Sequence, residues 1–270
     1  MRAKKSLGQN FLRDQNLIDR IVDALELTGD ETVIEIGPGH GALTERLVEK
    51  AAQVIAIEFD RDLIQVLKYK FSHHANFTVI NEDALKVDFS RLISQNFKSE
   101  ISNLKLAANL PYNISTPILQ RLIDQRHLFN RIVLMFQREV VERITAKPGS
   151  SNRGYLSVLV EKAFETEYLF EVPPQAFFPV PKVWSAVVSL RPKESAVLDE
   201  AAFRKVVSVS FSQKRKTLFN NLKTEFENAA ALLESSNIDG NRRAETLTIA
   251  EWVNLTKATA ECRDDIRPCK

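Results

Sequence analysis

Thr32-Val33-Ile34-Glu35-Ile36-Gly37-Pro38-Gly39-His40-Gly41 is the stretch that decides the fold. Its first half, apolar and β-branched apart from one acid, reads as a buried strand, and its second half is a glycine loop. An apolar-periodic segment follows, with Leu43, Leu47 and Val48 on one helical face. Strand, glycine loop and helix together open a nucleotide-binding βαβ unit. Glycines let the backbone approach a ligand where a Cβ would clash, and a helix N-terminus favours electron-rich groups. A second strand, Gln53 to Ile57, ends at Glu58, twenty-one residues after Gly37. An acid at that spacing is placed to accept hydrogen bonds from both hydroxyls of a ribose. A glycine turn with a surface acid is the plain structural alternative, and three features coinciding at the expected spacing weigh against it.

The glycine pattern leaves the ribose-bearing cofactor open, because Ala42 supplies the small sixth residue of a dinucleotide fingerprint. The chain further on favours S-adenosyl-L-methionine. A third strand, Phe77 to Ile80, leads to Asn81-Glu82-Asp83-Ala84, where Asp83 is placed to accept from an adenine amino group. A fourth, Leu104 to Ala108, runs into Asn109-Leu110-Pro111-Tyr112. In that turn the Asn109 side-chain oxygen and the Leu110 carbonyl can each accept one hydrogen of an exocyclic amino group, while Tyr112 stacks on the ring. A proline turn after a strand needs no ligand. This one follows the fourth strand of an open α/β sheet, where the carboxyl ends of the strands line the ligand crevice. Four such loops meeting around one adenosine-like cofactor and one target base suit methylation of a nucleobase amino group better than hydride transfer.

The chain resembles the ribosomal RNA adenine N6,N6-dimethyltransferases of the small subunit. The likeness covers nearly the whole length: Lys5 to Leu12, Glu35 to Gly41, Glu58, Glu82-Asp83-Ala84, Asn109 to Ser115, Val172-Pro173-Pro174, Phe177, Pro179 to Val183, Phe211 to Thr217, and Arg242-Arg243-Ala244-Glu245. The resemblance implies that Asn10 and Leu12 (through their backbone), Gly37, Gly39, Glu58, Asp83, Ala84 and Asn109 contact S-adenosyl-L-methionine. It also implies that Tyr112 and Phe177 sandwich a flipped adenine, and that the small ribosomal subunit and its rRNA are the partners. Phe178 departs from the family pattern, which has a smaller or polar residue there. Three rival functions remain: a large-subunit RNA methyltransferase of the macrolide-resistance type, a non-catalytic assembly factor, and a DNA adenine methyltransferase. The last typically has two prolines in the amino-holding turn, where Leu110 takes the first place here.

Composition bounds these readings. The chain of 270 residues, 44% hydrophobic and 27% charged, can bury a sizeable core. No apolar run approaches the ~20 residues that cross a bilayer, and no apolar signal core follows the basic start, so a cytoplasmic protein is expected. Cys262 and Cys269 fit neither a zinc pair nor a disulfide framework, and His40, His73, His74 and His127 lack ligand spacing, so no metal is expected. Net charge is only +2, but from Ala201 to Thr224 six basic residues stand with no acid, and Arg2, Lys4, Lys5 and Arg13 precede Asp14. Lys4, Lys5, Lys214, Arg215 and Lys216 are therefore candidate RNA phosphate contacts, the last three on a helix with one apolar face. Leu17, Ile18, Ile21, Val22 and Leu25 form a helical stripe, read with the basic segment before it as a lid over the cofactor.

The expected fold is α/β: a Rossmann-like S-adenosylmethionine-dependent methyltransferase sheet with helices on both faces and a small all-α C-terminal domain. The boundary lies near residue 190, giving a catalytic domain over 1–190 and a helical RNA-contacting domain over 191–270 in a monomer. Strands are further expected over 132–136 and 187–190, and helices over 203–209, 216–222, 229–233 and 249–255.

Overall fold

The structure is a computed structural model that describes residues 4, 8–96, 103–194 and 199–264. Nine strands are found among them: β1 (Phe11–Leu12), β2 (Thr32–Ile36), β3 (Gln53–Glu58), β4 (Phe77–Asn81), β5 (Leu104–Asn109), β6 (Arg131–Gln137), β7 (Phe164–Val172), β8 (Phe177–Phe178) and β9 (Ser185–Pro192). The helices are α1 (Gln15–Asp23), α2 (Thr44–Lys50), α3 (Arg61–Lys70), α4 (Phe89–Asn96), α5 (Ser115–Asp124), α6 (Arg138–Ile144), α7 (Tyr155–Ala163), α8 (Glu200–Ser210), α9 (Leu218–Leu222), α10 (Ala229–Ser235) and α11 (Ile249–Asp264).

Seven strands form one sheet in the order β4-β3-β2-β5-β6-β9-β7. The first five are parallel, β9 runs antiparallel to β6, and β7 antiparallel to β9. The chain starts at β2, steps outward to β3 and β4, then returns to the other side of β2 as β5. The resulting switch point opens a crevice at the carboxyl ends of β2 and β5. Successive residues Val33 and Ile34 are both fully buried, as expected for a strand covered on both faces. Leu17, Ile18, Ile21, Val22 and Leu25 pack with Val33, Leu47, Val54 and Val133 in one core. The stripe of α1 therefore builds the core rather than a lid; the segment before it, Gly8 to Leu12, is what reaches the crevice.

The described chain gathers into two units, one of residues up to 141 with 164–192, the other of residues 142–163 with 193 onward. The second unit takes residues 142–163, a segment that the sequence reading placed in the first domain. The reason is local packing: α7 lies against α8 and α11. Arg153, 1% exposed, ties this segment down by donating to the carbonyls of Ala146 and Leu247. The chain leaves the sheet after β6 and returns as β7, a strand that the sequence reading did not find. Within the helical unit, Trp252 is fully buried beside Phe211.

Candidate active site

The glycine loop is shaped by backbone conformations that favour glycine. Gly37, Gly39 and Gly41 have φ of +69°, +59° and +82°. A Cβ on Gly39 would stand 2.9 Å from the Phe11 ring, so a side chain there would displace that ring. Gly37 donates its N–H to the Ile57 carbonyl and extends the β2–β3 pairing into the loop. The loop, the ends of β3, β4 and β5, and residues 8–12 enclose a cavity of about 300 Å³, at the small end of ligand pockets.

This cavity brings together Asn10, Leu12, Gly37, Gly39, Glu58, Asp83, Ala84, Asn109, Leu110, Tyr112 and Phe177, all singled out from the sequence. Glu58 is buried at its floor: Oε1 accepts from the Asp60 N–H at 2.8 Å and Oε2 from the Gly39 N–H at 3.2 Å. Each oxygen keeps a lone pair beyond those bonds. Burial pushes the Glu58 carboxyl above its usual range, although these N–H groups pull the other way. Asp83 accepts from the Leu85 N–H at 3.0 Å, which fixes the turn carrying Ala84. Asn109 donates its side-chain amide to the Asn10 carbonyl at 3.4 Å, so the strap over the cavity braces the residue proposed to hold an amino group. The Tyr112 hydroxyl and Ser185 Oγ are 2.8 Å apart. Burial raises the phenol pKa and the hydrogen bond opposes that shift. Phe177 is buried and paired with Leu12 across β8 and β1.

Three lining residues carry weight that the sequence reading did not give them. Glu35 sits 1% exposed in β2, its Oε2 accepting from the Thr44 hydroxyl at 2.6 Å. Burial pushes its carboxyl up to about 7; the Thr44 bond lowers it and nearby Glu58 raises it further. A lone acid inside an apolar strand was the available signal. Phe59, directly after Glu58, lines the cavity with 60% of its surface open. Phe11 lines it too, its ring centroid 4.4 Å from that of His40. Four carboxyl groups, Glu35, Glu58, Glu82 and Asp83, line the cavity, and no lysine or arginine does among the described residues.

The basic candidates lie elsewhere. The Lys4 ammonium stands 2.6 Å from Asp60 and 2.7 Å from Asp62, so its charge is matched within the protein at the outer side of β3. Lys5 lies outside the described residues. Lys214, Arg215 and Lys216 are exposed on the helical unit, and Lys214 donates to the Ser151 carbonyl at 2.6 Å. They occupy an irregular connection, not the helix expected from 216 onward. Thr217 caps α9, and buried Asn221 donates to the Ser210 and Gln213 carbonyls, holding the connection in a turn. No helix among the described residues is long and apolar enough to cross a membrane. No group of three His, Cys, Asp or Glu suited to a metal ion occurs among them either.

Comparison with known proteins agrees with this geometry. The chain matches the family described as "Ribosomal RNA adenine dimethylase" over residues 1–261. It is 44% identical over 268 residues to the ribosomal RNA small subunit methyltransferase A of Alkaliphilus metalliredigens, covering 96% of this chain and 92% of that protein. To the protein of the same name from Geobacter metallireducens it is 41% identical, covering 96% of both. Among solved structures, a dimethyladenosine transferase from Plasmodium falciparum superposes with a TM-score of 0.81 at 28% identity, covering 93% of this chain and 98% of that one. The 23S rRNA methyltransferase ErmE follows with a TM-score of 0.70 at 27% identity, covering 92% and 99%. The sheet is thus that of the Rossmann-like S-adenosylmethionine-dependent methyltransferases. From its glycine loop to its Asn109–Tyr112 turn, and over nearly its full length, the chain belongs to the ribosomal RNA adenine dimethylase family.

Proposed function

We propose that this protein transfers methyl groups from S-adenosyl-L-methionine to N6 of two adjacent adenosines in a hairpin of small-subunit (16S) rRNA, giving N6,N6-dimethyladenosine during ribosome assembly. The observation that carries the reading is the union of two sets of residues in one cavity: the acid-lined floor around Glu58 and the turn from Asn109 to Tyr112.

The residues fit the cofactor. Four carboxyl groups without a lysine or arginine among them suit a ligand bearing ammonium and sulfonium charges, and they disfavour a pyrophosphate. Glu58 is placed for the ribose hydroxyls, Asp83 for the adenine amino group, and Gly37 and Gly39 for close backbone approach, with the Asn10, Leu12 and Ala84 backbone closing the sides. S-adenosyl-L-methionine supplies an electrophilic methyl when bound. The adenine amino group is a poor nucleophile because its lone pair is delocalised into the ring. Accepting both amino hydrogens, at Asn109 Oδ1 and the Leu110 carbonyl, localises that pair and stabilises the positive charge that grows on nitrogen. Tyr112 and Phe177 hold the ring, and their stacking offsets the few kcal/mol that base flipping costs. Bound S-adenosyl-L-methionine would give up its methyl with the bonding pair kept on sulfur, and the nitrogen proton would pass to solvent, so no strong general base is needed among these residues. On the helical unit Lys214, Arg215 and Lys216 contact RNA phosphates, and the protein works as a cytoplasmic monomer without a metal.

The test is transfer of labelled methyl to small subunits lacking the dimethyl marks, with fully modified small subunits and large subunits as controls. Label as N6,N6-dimethyladenosine in the unmodified small subunits alone is the expected result. Asn109→Ala should lower kcat by about 10² to 10³, by analogy with loss of one oxyanion-hole donor, and weaken cofactor affinity less than that. Measurable cofactor binding without transfer to any RNA would overturn the reading.

A further inference from the structure

The short β1–β8 pairing does more than close the cavity. Its register sets Leu12 opposite Phe177 and Phe11 opposite Phe178. Directly opposed residues share a face of a strand pair and successive residues alternate, so Leu12 and Phe177 face one side and Phe11 and Phe178 the other. The first pair is buried in the core. The second is not: Phe11 lines the cavity above Gly39 and His40, whereas Phe178 leaves half its surface open. Alternation brings exposed Arg13 to the same face, and its guanidinium carbon lies 4.1 Å from the centre of the Phe178 ring. A strip of rings with a cation at its end therefore runs from the cavity outward.

A ring held on a strand, half open to solvent and with an arginine over one of its faces, has the composition of a single-stranded nucleic-acid platform: the remaining face for a base and a charge for its phosphate. The substrate supplies the occupant. When one adenosine turns out of its stack into the cavity, its neighbour loses a stacking partner, and that neighbour is the other member of the target pair. We propose that Phe178, with Arg13 beside its ring, is a stacking platform for the adenosine adjoining the one in the cavity. This deepens the function proposed above and rests on it. Phe178 is then a positioning residue that acts on RNA engagement and leaves cofactor binding alone. The same platform serves both transfers, the two adenosines exchanging places between them.

The experiment couples one change in the protein to one in the RNA. Phe178→Ala and Phe178→Trp are compared with the unaltered protein on unmodified small subunits, and on subunits reconstituted with one adenosine of the pair made abasic, each in turn. Phe178→Ala should lower kcat/KM about tenfold, the order of one lost base–aromatic stack, with the dissociation constant for S-adenosyl-L-methionine unchanged and Phe178→Trp restoring activity. In at least one abasic series the unaltered protein should lose a similar factor, and Phe178→Ala should then cost less than about twofold more, because the two changes remove the same contact. Equal losses for Phe178→Ala on intact and abasic substrates, or no loss at all, would overturn the platform. If the unaltered protein methylates no subunit, the function itself fails, an outcome separate from either of these.

Discussion

Glu31 and Glu35 stand four residues apart at opposite ends of β2, both almost without solvent contact, and their environments differ in sign. At the amino end of the sheet, burial disfavours the Glu31 charge, but the Lys105 ammonium at 2.7 Å and the Thr28 and Gly29 N–H groups bring its carboxyl down to about 2. Lys105 also donates to the Glu26 carbonyl, and the Glu26 carboxylate pairs with Arg131 and Arg191. At the carboxyl end Glu35 has a hydroxyl for a partner and another acid for a neighbour, and its carboxyl rises to about 7. Buried charges with partners hold the sheet together; buried acids without an ion-pair partner line the cavity. The difference is a physical marker of the site, independent of any motif.

The amino end is where a single change should cost most stability. Lys105→Met leaves the Glu31 charge buried and uncompensated, and should lower the free energy of unfolding by about 3 to 5 kcal/mol. Adding Glu31→Gln should recover most of it, since replacing both members of a buried pair is often neutral. Urea titrations of the single and double variants measure this. A loss below about 1 kcal/mol for Lys105→Met would break the comparison, because the amino-end pair would then be as expendable as a surface one.

The two carboxyls also make stability depend on pH in opposite directions. Glu31 has a folded pKa below its unfolded value, so its contribution is present above about 4.5 and lost as pH falls toward 2. Glu35 has a folded pKa above its unfolded value, so between about 4.5 and 7 the folded protein binds the extra proton. Its contribution therefore declines as pH rises through that window and stays constant above it. Glu35→Gln should flatten this decline, a difference of at most about 3 kcal/mol between pH 5 and 8 without cofactor. Urea midpoints at several pH values read it, and parallel curves for the two proteins would remove Glu35 as the titrating group.

How much of this was legible in advance depended on how local the cause was. β2 to β6 were legible because each is an apolar run, the first four ended by a glycine, an acid or a proline turn, and the cavity followed from where those ends must meet. β7 escaped because Glu165, Glu167 and Glu171 interrupt it on an edge of the sheet, and only the alternation of Phe164, Tyr168, Phe170 and Val172 marked it. The stripe of α1 could not tell core from lid, since both bury one helical face. The turn carrying Lys214 to Lys216 depends on Asn221 reaching back to two carbonyls, a contact that periodicity does not encode. Lys4 looked like a free cation because its partners, Asp60 and Asp62, lie more than fifty residues away.

The hydrogen bond between Tyr112 and Ser185 joins residues 73 apart, and it separates the two ends of the sheet most finely. At the amino end polar pairing is what stabilises; in the cavity the proposed role of Tyr112 rests on its ring, with the hydroxyl only orienting it. Tyr112→Phe should therefore cost about 0.5 to 1.5 kcal/mol of stability, the range of one ordinary hydrogen bond, and change turnover by no more than about threefold. Tyr112→Ala removes the stacking face and should lose the equivalent of about 1 to 3 kcal/mol in kcat/KM for RNA. If the Phe variant falls as far as the Ala variant, the hydroxyl takes part in holding the base, and the cavity depends on polar pairing just as the amino end does.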